Sequence, residues 1–138
     1  MNKSKGFTII ELIVVIAIIA VLAAIVLVNV TQYIAKGKDS SIKGNMSSMA
    51  TIAAAFYDDH SSNFLANGGS ATEINGAAWK AGIAAINDAN GSATVVSSVA
   101  AGAWCVESDL NESNAGNWCA DSSGYKGNTL HCSTQVCQ

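Results

Sequence analysis

The four cysteines are the residues of this chain with the clearest chemistry. All of them lie in the C-terminal third, at Cys105, Cys119, Cys132 and Cys137. An even number clustered in one region predicts disulfide bonds formed in an oxidising compartment. Zinc binding is the alternative, but the spacings contain no C-x-x-C pair, and His131 stands alone beside Cys132. Disulfides are therefore the main prediction, and we expect no metal site.

The remaining reactive side chains form no recognisable catalytic arrangement. His60 and His131 lie in unrelated contexts, and no serine or cysteine lies near a base in a recognised motif. The segment from Asp121 to Gly124 has the composition of a plain turn, with a calcium loop as the alternative. The chain has no arginine, the residue that binds phosphate in bidentate fashion, so nucleic-acid binding is not indicated. We expect no enzymatic activity and no cofactor.

One carboxylate, Glu11, stands at the start of a long apolar run. From Leu12 to Val28 no side chain carries a charge or an amide. A helix of that length reaches about 25 Å, the low end of what a bilayer core requires. An ionisable group at membrane depth costs a few kcal/mol, so Glu11 is a functional candidate that requires a positive partner. Lys3 and Lys5 ahead of it supply a positive flank.

The residues around Glu11 resemble the N-terminus of the type IV pilin family, which includes the type II secretion and competence pseudopilins. The family pattern is a short basic leader ending in glycine, then phenylalanine, threonine, an apolar pair and glutamate before a hydrophobic helix. Here it reads Gly6, Phe7, Thr8, Ile9, Ile10 and Glu11. A secretory signal peptide or a plain membrane anchor would leave Glu11 unexplained.

The resemblance implies a series of processing and assembly steps. Prepilin peptidase would cleave between Gly6 and Phe7, the new Phe7 amine would be N-methylated, and the pilus assembly machinery would insert the apolar helix into a helical filament. Glu11 of an incoming subunit would meet the Phe7 amine of the subunit before it. The alternative is a pair within one subunit, since that amine lies one helical turn from Glu11. The implied protein is a structural homo-oligomer. It would be a single-pass precursor in the inner (cytoplasmic) membrane and then an extracellular type IV pilus serving adhesion, motility or uptake.

Two alternatives remain at this point. Within the family, the chain could be a type II secretion pseudopilin, which a structural calcium in the Asp121 loop would favour. From a different class, it could be a membrane-tethered binding module that keeps its leader and stays monomeric.

Beyond the apolar run, the sequence predicts that the helix continues as an amphipathic segment. No proline interrupts it, and apolar residues recur at steps of four and three. We expect one helix from Phe7 to about Asp59, with Asp39 and the nearby lysines mostly on other faces. The apolar stripe, which we expect to pack against a soluble head, comprises Ile42, Met46, Met49, Ala53 and Phe56.

Two similar segments, at residues 103–107 and 117–121, predict a β-hairpin, and strand signals begin at Thr94. We expect the hairpin to be centred on Glu112, which places Cys105 opposite Cys119. Both cysteines then share one face with Glu107 and Asp121. The opposite face, toward the helix, carries Trp104, Val106, Trp118 and Ala120.

This register suggests how the cysteines pair. Four cysteines allow three connectivities. Cys105 can bridge to Cys119 across the strands, which leaves Cys132 and Cys137 to close a short C-terminal loop. We predict the disulfides Cys105–Cys119 and Cys132–Cys137. In the pilin family such C-terminal loops are common, and they favour a pilus subunit over a secretion pseudopilin.

Together these elements predict an α+β fold of type IV pilin type. A long N-terminal helix, membrane-spanning in one half and amphipathic in the other, packs on a small antiparallel sheet. The chain of 138 residues has room for one domain and an anchor. A capping-box pattern at residues 70–73 and a stop at Asn90-Gly91 predict a short second helix. The predicted segments are 1–6 (leader), 7–30 (hydrophobic transmembrane and assembly half of the helix), 31–60 (amphipathic half), 61–92 (αβ-loop with the short helix) and 93–138 (sheet and disulfide-closed C-terminal loop).

Overall fold

The structure, a computed structural model, describes residues 6–65, 74, 76–91, 95–128 and 130–138, apart from the side chain of Val28. Its helices and antiparallel strands confirm the predicted α+β fold. The chain divides into two compact units, Met1–Ile34 and Ala35–Gln138. In chain order the elements are α1 (Ile9–Asp59), α2 (Ala77–Asn90), β1 (Val96–Ala100), β2 (Ala103–Asp109), β3 (Asn117–Asp121), β4 (Lys126–Asn128), β5 (Cys132–Ser133) and β6 (Val136–Cys137).

The first unit contains the apolar half of α1. Its large apolar side chains between Ile9 and Leu27 are all exposed, Ile10 for example at 75%. One helix cannot bury its own side chains, because burial of an apolar face requires a second surface. An 18-residue window of α1 has a mean hydropathy of 3.3, so this helix is long and apolar enough to cross a membrane.

The second half of α1 forms one wall of a buried core in the second unit. Ile42, Met46, Met49 and Ala53 are fully buried, and Phe56 lies part-buried beside them. The predicted stripe is therefore confirmed as core packing. It packs with buried residues from α2 and the sheet, namely Trp79, Ile86, Val99, Trp104, Val106 and Ala120.

Helix α2 approaches α1 closely because a glycine faces it. A Cβ on Gly82 would lie 2.6 Å from Cγ of Met49, so a larger residue would require Met49 to move. The helix ends at the predicted stop, where Gly91 has a φ of 75° and its N–H donates to the carbonyl oxygen of Asn87. Its N-cap is Gly76, and the predicted capping box at residues 70–73 lies outside the described residues.

The main sheet has four antiparallel strands in the order β1-β2-β3-β4, and β5 pairs with β6 in a separate two-stranded ribbon. Alternation along β2 and β3 gives the sheet two distinct faces, as predicted. The face toward the hydrophobic core carries Trp104, Val106 and Ala120, with Trp118 part-buried at its margin. The other face carries four buried residues, Cys105, Glu107, Cys119 and Asp121.

The hairpin register differs from the prediction by two residues. Cys105 pairs with Asp121, and Glu107 pairs with Cys119, so the predicted pairing of Cys105 with Cys119 is wrong. The connecting turn explains the shift, because Asn114 and Gly116 both adopt a φ of 68° and move the centre of the hairpin by one residue. A shift of two residues preserves the alternation, which is why the faces were predicted correctly and the partners were not.

Candidate functional site

Helix α1 begins with reciprocal hydrogen bonds between Thr8 and Glu11. Oε2 of Glu11 accepts from the backbone N–H of Thr8 at 2.9 Å and from its hydroxyl at 2.7 Å. The hydroxyl oxygen of Thr8 in turn accepts from the backbone N–H of Glu11 at 3.2 Å. This is a capping box, which satisfies N–H groups that the first turn of a helix leaves unpaired.

The role of Thr8 was missed in the sequence, although its signal was present. A threonine followed three residues later by a glutamate, just before an apolar run, is the capping-box pattern. The cap explains how a glutamate is accommodated at this end of an apolar helix, where the helix dipole also favours negative charge. Because Glu11 remains exposed, it can also meet a positive group from outside its own helix.

The residues directly before the cap are open to their surroundings. Phe7 is 82% exposed, and a Cβ added to Gly6 would meet no heavy atom within 4 Å. The small size of Gly6 is therefore not required by the packing of the described part of the chain. Lys3 and Lys5 lie outside the described residues.

A comparison with protein families identifies this N-terminal segment. The family model described as the prokaryotic N-terminal methylation motif matches residues 1–27. The chain carries the prepilin leader signature of type IV pilins and pseudopilins. This signature implies processing by prepilin peptidase and handling by an assembly machinery, and the apolar helix that follows fits a membrane-anchored precursor. No curated protein and no solved structure shows significant similarity to the chain.

The cysteines form a second feature, on the face of the sheet away from the hydrophobic core. The disulfides are Cys105–Cys132 and Cys119–Cys137, so the predicted pairs Cys105–Cys119 and Cys132–Cys137 are wrong. In the observed register Cys105 and Cys119 are diagonal neighbours, which lie about 7–8 Å apart, whereas a disulfide spans about 4.4–6.8 Å between Cα atoms. Cys132 and Cys137 pair across β5 and β6, but each bonds to the main sheet instead.

Buried Glu107 holds the start of the β5–β6 ribbon. Its Oε2 accepts from the backbone N–H of Cys132 at 2.7 Å. Its Oε1 lies 2.6 Å from Nδ1 of His131 and accepts from the side-chain amide of Asn117 at 2.8 Å. The same amide donates to the carbonyl oxygen of Leu130 at 2.6 Å. A single carboxylate thus connects β2, β3 and the C-terminal segment.

Buried Asp121 holds the end of the ribbon. Its Oδ2 accepts from the backbone N–H of Cys137 at 3.0 Å. Its Oδ1 accepts from the hydroxyl of Ser123 at 2.5 Å and from the backbone N–H groups of Ser123 and Tyr125 at 2.8 and 3.3 Å. Burial alone would raise the pKa of Asp121, but the hydrogen bonds from Ser123, Cys137 and Tyr125 together outweigh it and hold the pKa below its ordinary value.

The contacts of Asp121 and Cys132 bear on the calcium and zinc alternatives raised by the sequence. Oδ1 of Asp121 accepts from the backbone N–H two residues on, at Ser123, which is the geometry of an Asx turn. Cys132 is part of a disulfide and so offers no thiolate to zinc beside His131. Among the residues that the structure describes, no group of three or more His, Cys, Asp or Glu is placed to hold a metal ion.

Asp39 is a third buried carboxylate, so its predicted position on a face of the helix other than that of the apolar stripe is wrong. Its Oδ1 accepts from the backbone N–H of Asn111 at 2.5 Å, and its Oδ2 accepts from the backbone N–H of Glu112 at 3.0 Å. It thereby holds the β2–β3 turn against α1. The signal was its spacing, since Asp39 lies three residues before Ile42 and continues the apolar stripe by one step.

Proposed function

We propose that this chain is a structural subunit of a type IV pilus. After cleavage and N-methylation it polymerises through its apolar helix into a homo-oligomeric filament on the cell surface, which serves adhesion, motility or uptake. The observation that carries the proposal is the methylation motif over residues 1–27, together with the exposed apolar side chains in the first half of α1. Such a surface requires lipid before assembly and other subunits afterwards.

The processing step assigns roles to Gly6 and Phe7. Prepilin peptidase cuts the peptide bond between them, and the new Phe7 amine receives the methyl group. Packing in the described part of the chain does not require a small residue at Gly6, so we assign that requirement to the approach of the peptidase. Gly6→Leu should therefore leave the second unit, Ala35–Gln138 (the head), folded. It should yield an uncut precursor and no filaments, as measured by mass spectrometry of membrane and surface fractions.

The assembly step assigns a role to Glu11 beyond its cap. Cleavage creates a positive amine at Phe7, and an incoming subunit presents Glu11 to the amine of the subunit before it. The two charges replace lost hydration in a low-dielectric surrounding, where an unpaired charge is heavily penalised. This pairing would set the axial step of the filament.

Two substitutions separate the cap from the charge. Glutamine occupies the same position of a capping box as glutamate, so Glu11→Gln retains the hydrogen bonds to Thr8 and loses only the charge. In strains without a wild-type copy, Glu11→Gln and Glu11→Ala should both be cleaved normally and reach normal membrane levels. Filament yield should fall in both on the order of a hundredfold, the effect of leaving a charge unpaired, and co-expressed wild-type subunits should partly restore it.

A different pattern would contradict the pairing. If Glu11→Gln assembles as well as wild type while Glu11→Ala does not, Glu11 acts through its cap alone. Normal filament yield from both variants would remove Glu11 from assembly altogether.

The C-terminal disulfides favour a pilus subunit over a secretion pseudopilin. Disulfides that close the C-terminal segment are common among pilus subunits of the family that the N-terminus resembles. The calcium loop that would favour the pseudopilin has no support from Asp121, whose oxygens both accept N–H groups. Imaging of surface filaments with and without the gene distinguishes the two, since the proposal predicts that filaments disappear with the gene.

A further inference from the structure

The outer face of the sheet presents two cysteines and two carboxylates in alternation. Cys105 pairs with Asp121, and Glu107 pairs with Cys119, in alternate positions of β2 and β3. All four side chains are buried under the C-terminal segment. A buried carboxylate requires compensating hydrogen bonds, and in this site the cysteines of the covering segment supply two of them.

Each cysteine of the β5–β6 ribbon makes two kinds of contact with this face. Cys132 donates its backbone N–H to Glu107 and bonds through sulfur to Cys105. Cys137 donates its backbone N–H to Asp121 and bonds through sulfur to Cys119. Each carboxylate therefore holds the backbone of one ribbon cysteine, and the sheet cysteine bonded to that residue lies two positions away on the carboxylate's own strand.

The ribbon has hydrogen bonds of its own that do not depend on sulfur. His131 and Gln138 exchange two backbone hydrogen bonds of 2.9 Å, and Thr134 and Gln135 form its turn with positive φ angles. The side-chain amide of Gln135 donates to the hydroxyl of Ser98 at 2.9 Å. The ribbon can therefore fold as a hairpin and dock on the sheet while its cysteines are still thiols.

Loop-closure entropy alone favours a different pairing. The observed disulfides join residues 27 and 18 positions apart, whereas Cys132 and Cys137 are separated by only a few residues. Because the probability of closure falls with the three-halves power of loop length, the short loop should form roughly seven to twelve times more readily in an unfolded chain. The native connectivity therefore requires interactions that outweigh the entropic preference for the Cys132–Cys137 loop.

We infer that Glu107 and Asp121 select the disulfide connectivity by docking the backbones of Cys132 and Cys137 on the sheet before the sulfur bonds form. They are positioning residues for oxidation and take no part in the sulfur chemistry itself. With the ribbon docked, each of its thiols faces the sheet thiol to which it is bonded in the folded protein. The short Cys132–Cys137 loop is thereby disfavoured.

The oxidation itself is ordinary thiol–disulfide exchange with an external disulfide. A protein thiolate attacks glutathione disulfide and releases one glutathione thiolate. The second protein thiolate then attacks the mixed disulfide and releases the other. For each protein disulfide formed, two protein thiols lose two electrons, and one glutathione disulfide is reduced to two glutathione thiols. The two protons of the protein thiols pass to the glutathione thiolates.

Reoxidation of the full chain in detergent micelles tests the inference. Reduced protein is placed in a glutathione redox buffer, trapped at intervals with a thiol-blocking reagent, and mapped by mass spectrometry with fragmentation between Cys132 and Cys137. In denaturant, wild type should form mainly the Cys132–Cys137 loop. Under folding conditions it should form Cys105–Cys132 and Cys119–Cys137.

The informative variants replace one carboxylate oxygen by an amide NH2 group, which donates hydrogen bonds instead of accepting them. They keep the shape of the side chain. Glu107→Gln and Asp121→Asn, singly and together, should shift the early products under folding conditions toward the Cys132–Cys137 loop. The double variant should approach the roughly seven- to twelvefold bias of an unfolded chain. Exposed Asp109→Asn, on the same strand as Glu107, should pair as wild type does.

Asp39→Asn separates positioning from general stability. Asp39 is also a buried carboxylate that accepts backbone N–H groups, but its partners are in the β2–β3 turn. The inference predicts native pairing in this variant. Equal mispairing in Asp39→Asn and in the Glu107 and Asp121 variants would show that stability alone decides the connectivity. Native pairing in the Glu107–Asp121 double variant would overturn the inference as directly.

Discussion

The two halves of α1 place the same type of residue in opposite environments. Ile10 in the first unit is 75% exposed, whereas Ile42 in the second is fully buried among residues of α2 and the sheet. The helical backbone is common to both, so burial follows from what covers each half. The second unit covers its half with elements of this chain. The first unit contains no such element among the described residues, and its apolar surface requires an apolar partner outside the described part of the chain.

Three buried carboxylates of the second unit contrast with Glu11 of the first. The buried carboxylates are those of Asp39, Glu107 and Asp121. Each accepts at least one backbone N–H from a distant part of the chain. Glu11 in the first unit is exposed and bonds only one turn away, to Thr8. The buried carboxylates of the head therefore have their partners within the chain. The apolar half of α1 has exposed side chains that other molecules can cover.

A matched pair of alanine substitutions tests this comparison with the largest expected effect. Ile42→Ala should lower the free energy of unfolding of the head by about 2–5 kcal/mol, because it removes buried atoms and leaves a cavity. Ile18→Ala should change that free energy by less than about 0.5 kcal/mol, because Ile18 is exposed. Denaturant unfolding in detergent, followed by tryptophan fluorescence, measures both. Equal destabilisation by the two substitutions would break the comparison.

Asp39→Asn should have the next largest effect. It replaces a charged acceptor of two backbone N–H groups by an amide, and hydrogen bonds to charged groups contribute about 1.5–3 kcal/mol. We expect a loss of about 2 kcal/mol in the free energy of unfolding of the head. Asp88→Asn, at an exposed position of α2, is the control and should be neutral. A neutral Asp39→Asn would mean that the β2–β3 turn is held by its own hydrogen bonds.

The pH dependence of the head should show the depressed pKa of Asp121. A carboxyl whose pKa is lower in the folded than in the unfolded state adds stability above its unfolded pKa. That stability is lost as the pH falls through the folded pKa. The free energy of unfolding should therefore decline below about pH 4, and Asp121→Asn should decline less steeply. Identical pH profiles would show that Asp121 does not contribute.

The smallest effect is expected at the surface of the head. Nζ of Lys36 lies 3.5 Å from Oε1 of Glu112, and both side chains are largely exposed. Exposed ion pairs contribute little, so Lys36→Ala should destabilise by less than about 0.5 kcal/mol, and added salt should remove the difference. A loss comparable to that of Asp39→Asn would show that the pair is part of the buried network.

Periodic features of this fold can be predicted from the sequence. The pairing of residues that are distant in the sequence cannot. The stripe from Ile42 to Phe56 and the two faces of the hairpin depend only on helical and strand periods, so they were predicted correctly. The register depends on two positive φ angles, at Asn114 and Gly116, which composition does not reveal. An error of two residues in the hairpin register leaves each side chain on its predicted face of the sheet. It changes the residue that lies opposite on the neighbouring strand.

The disulfides were mispredicted for a related reason. Their connectivity depends on where the β5–β6 ribbon docks, and docking is decided by Glu107 and Asp121, which are far from Cys132 and Cys137 in the sequence. The N-terminal motif was predicted correctly because it is local, with all of its residues within one short segment. Thr8 was overlooked although its capping pattern lies in that same segment.

The most direct test of the proposed filament subunit is the mass of its mature form. Surface filaments are sheared from cells, and their subunits are analysed by intact-mass and peptide mass spectrometry. A processed pilus subunit should begin at Phe7, carry one methyl group on that amine, and contain both disulfides. If the chain is found only in membranes, or if residues 1–6 remain attached in the filament fraction, the assignment as a processed pilus subunit is contradicted.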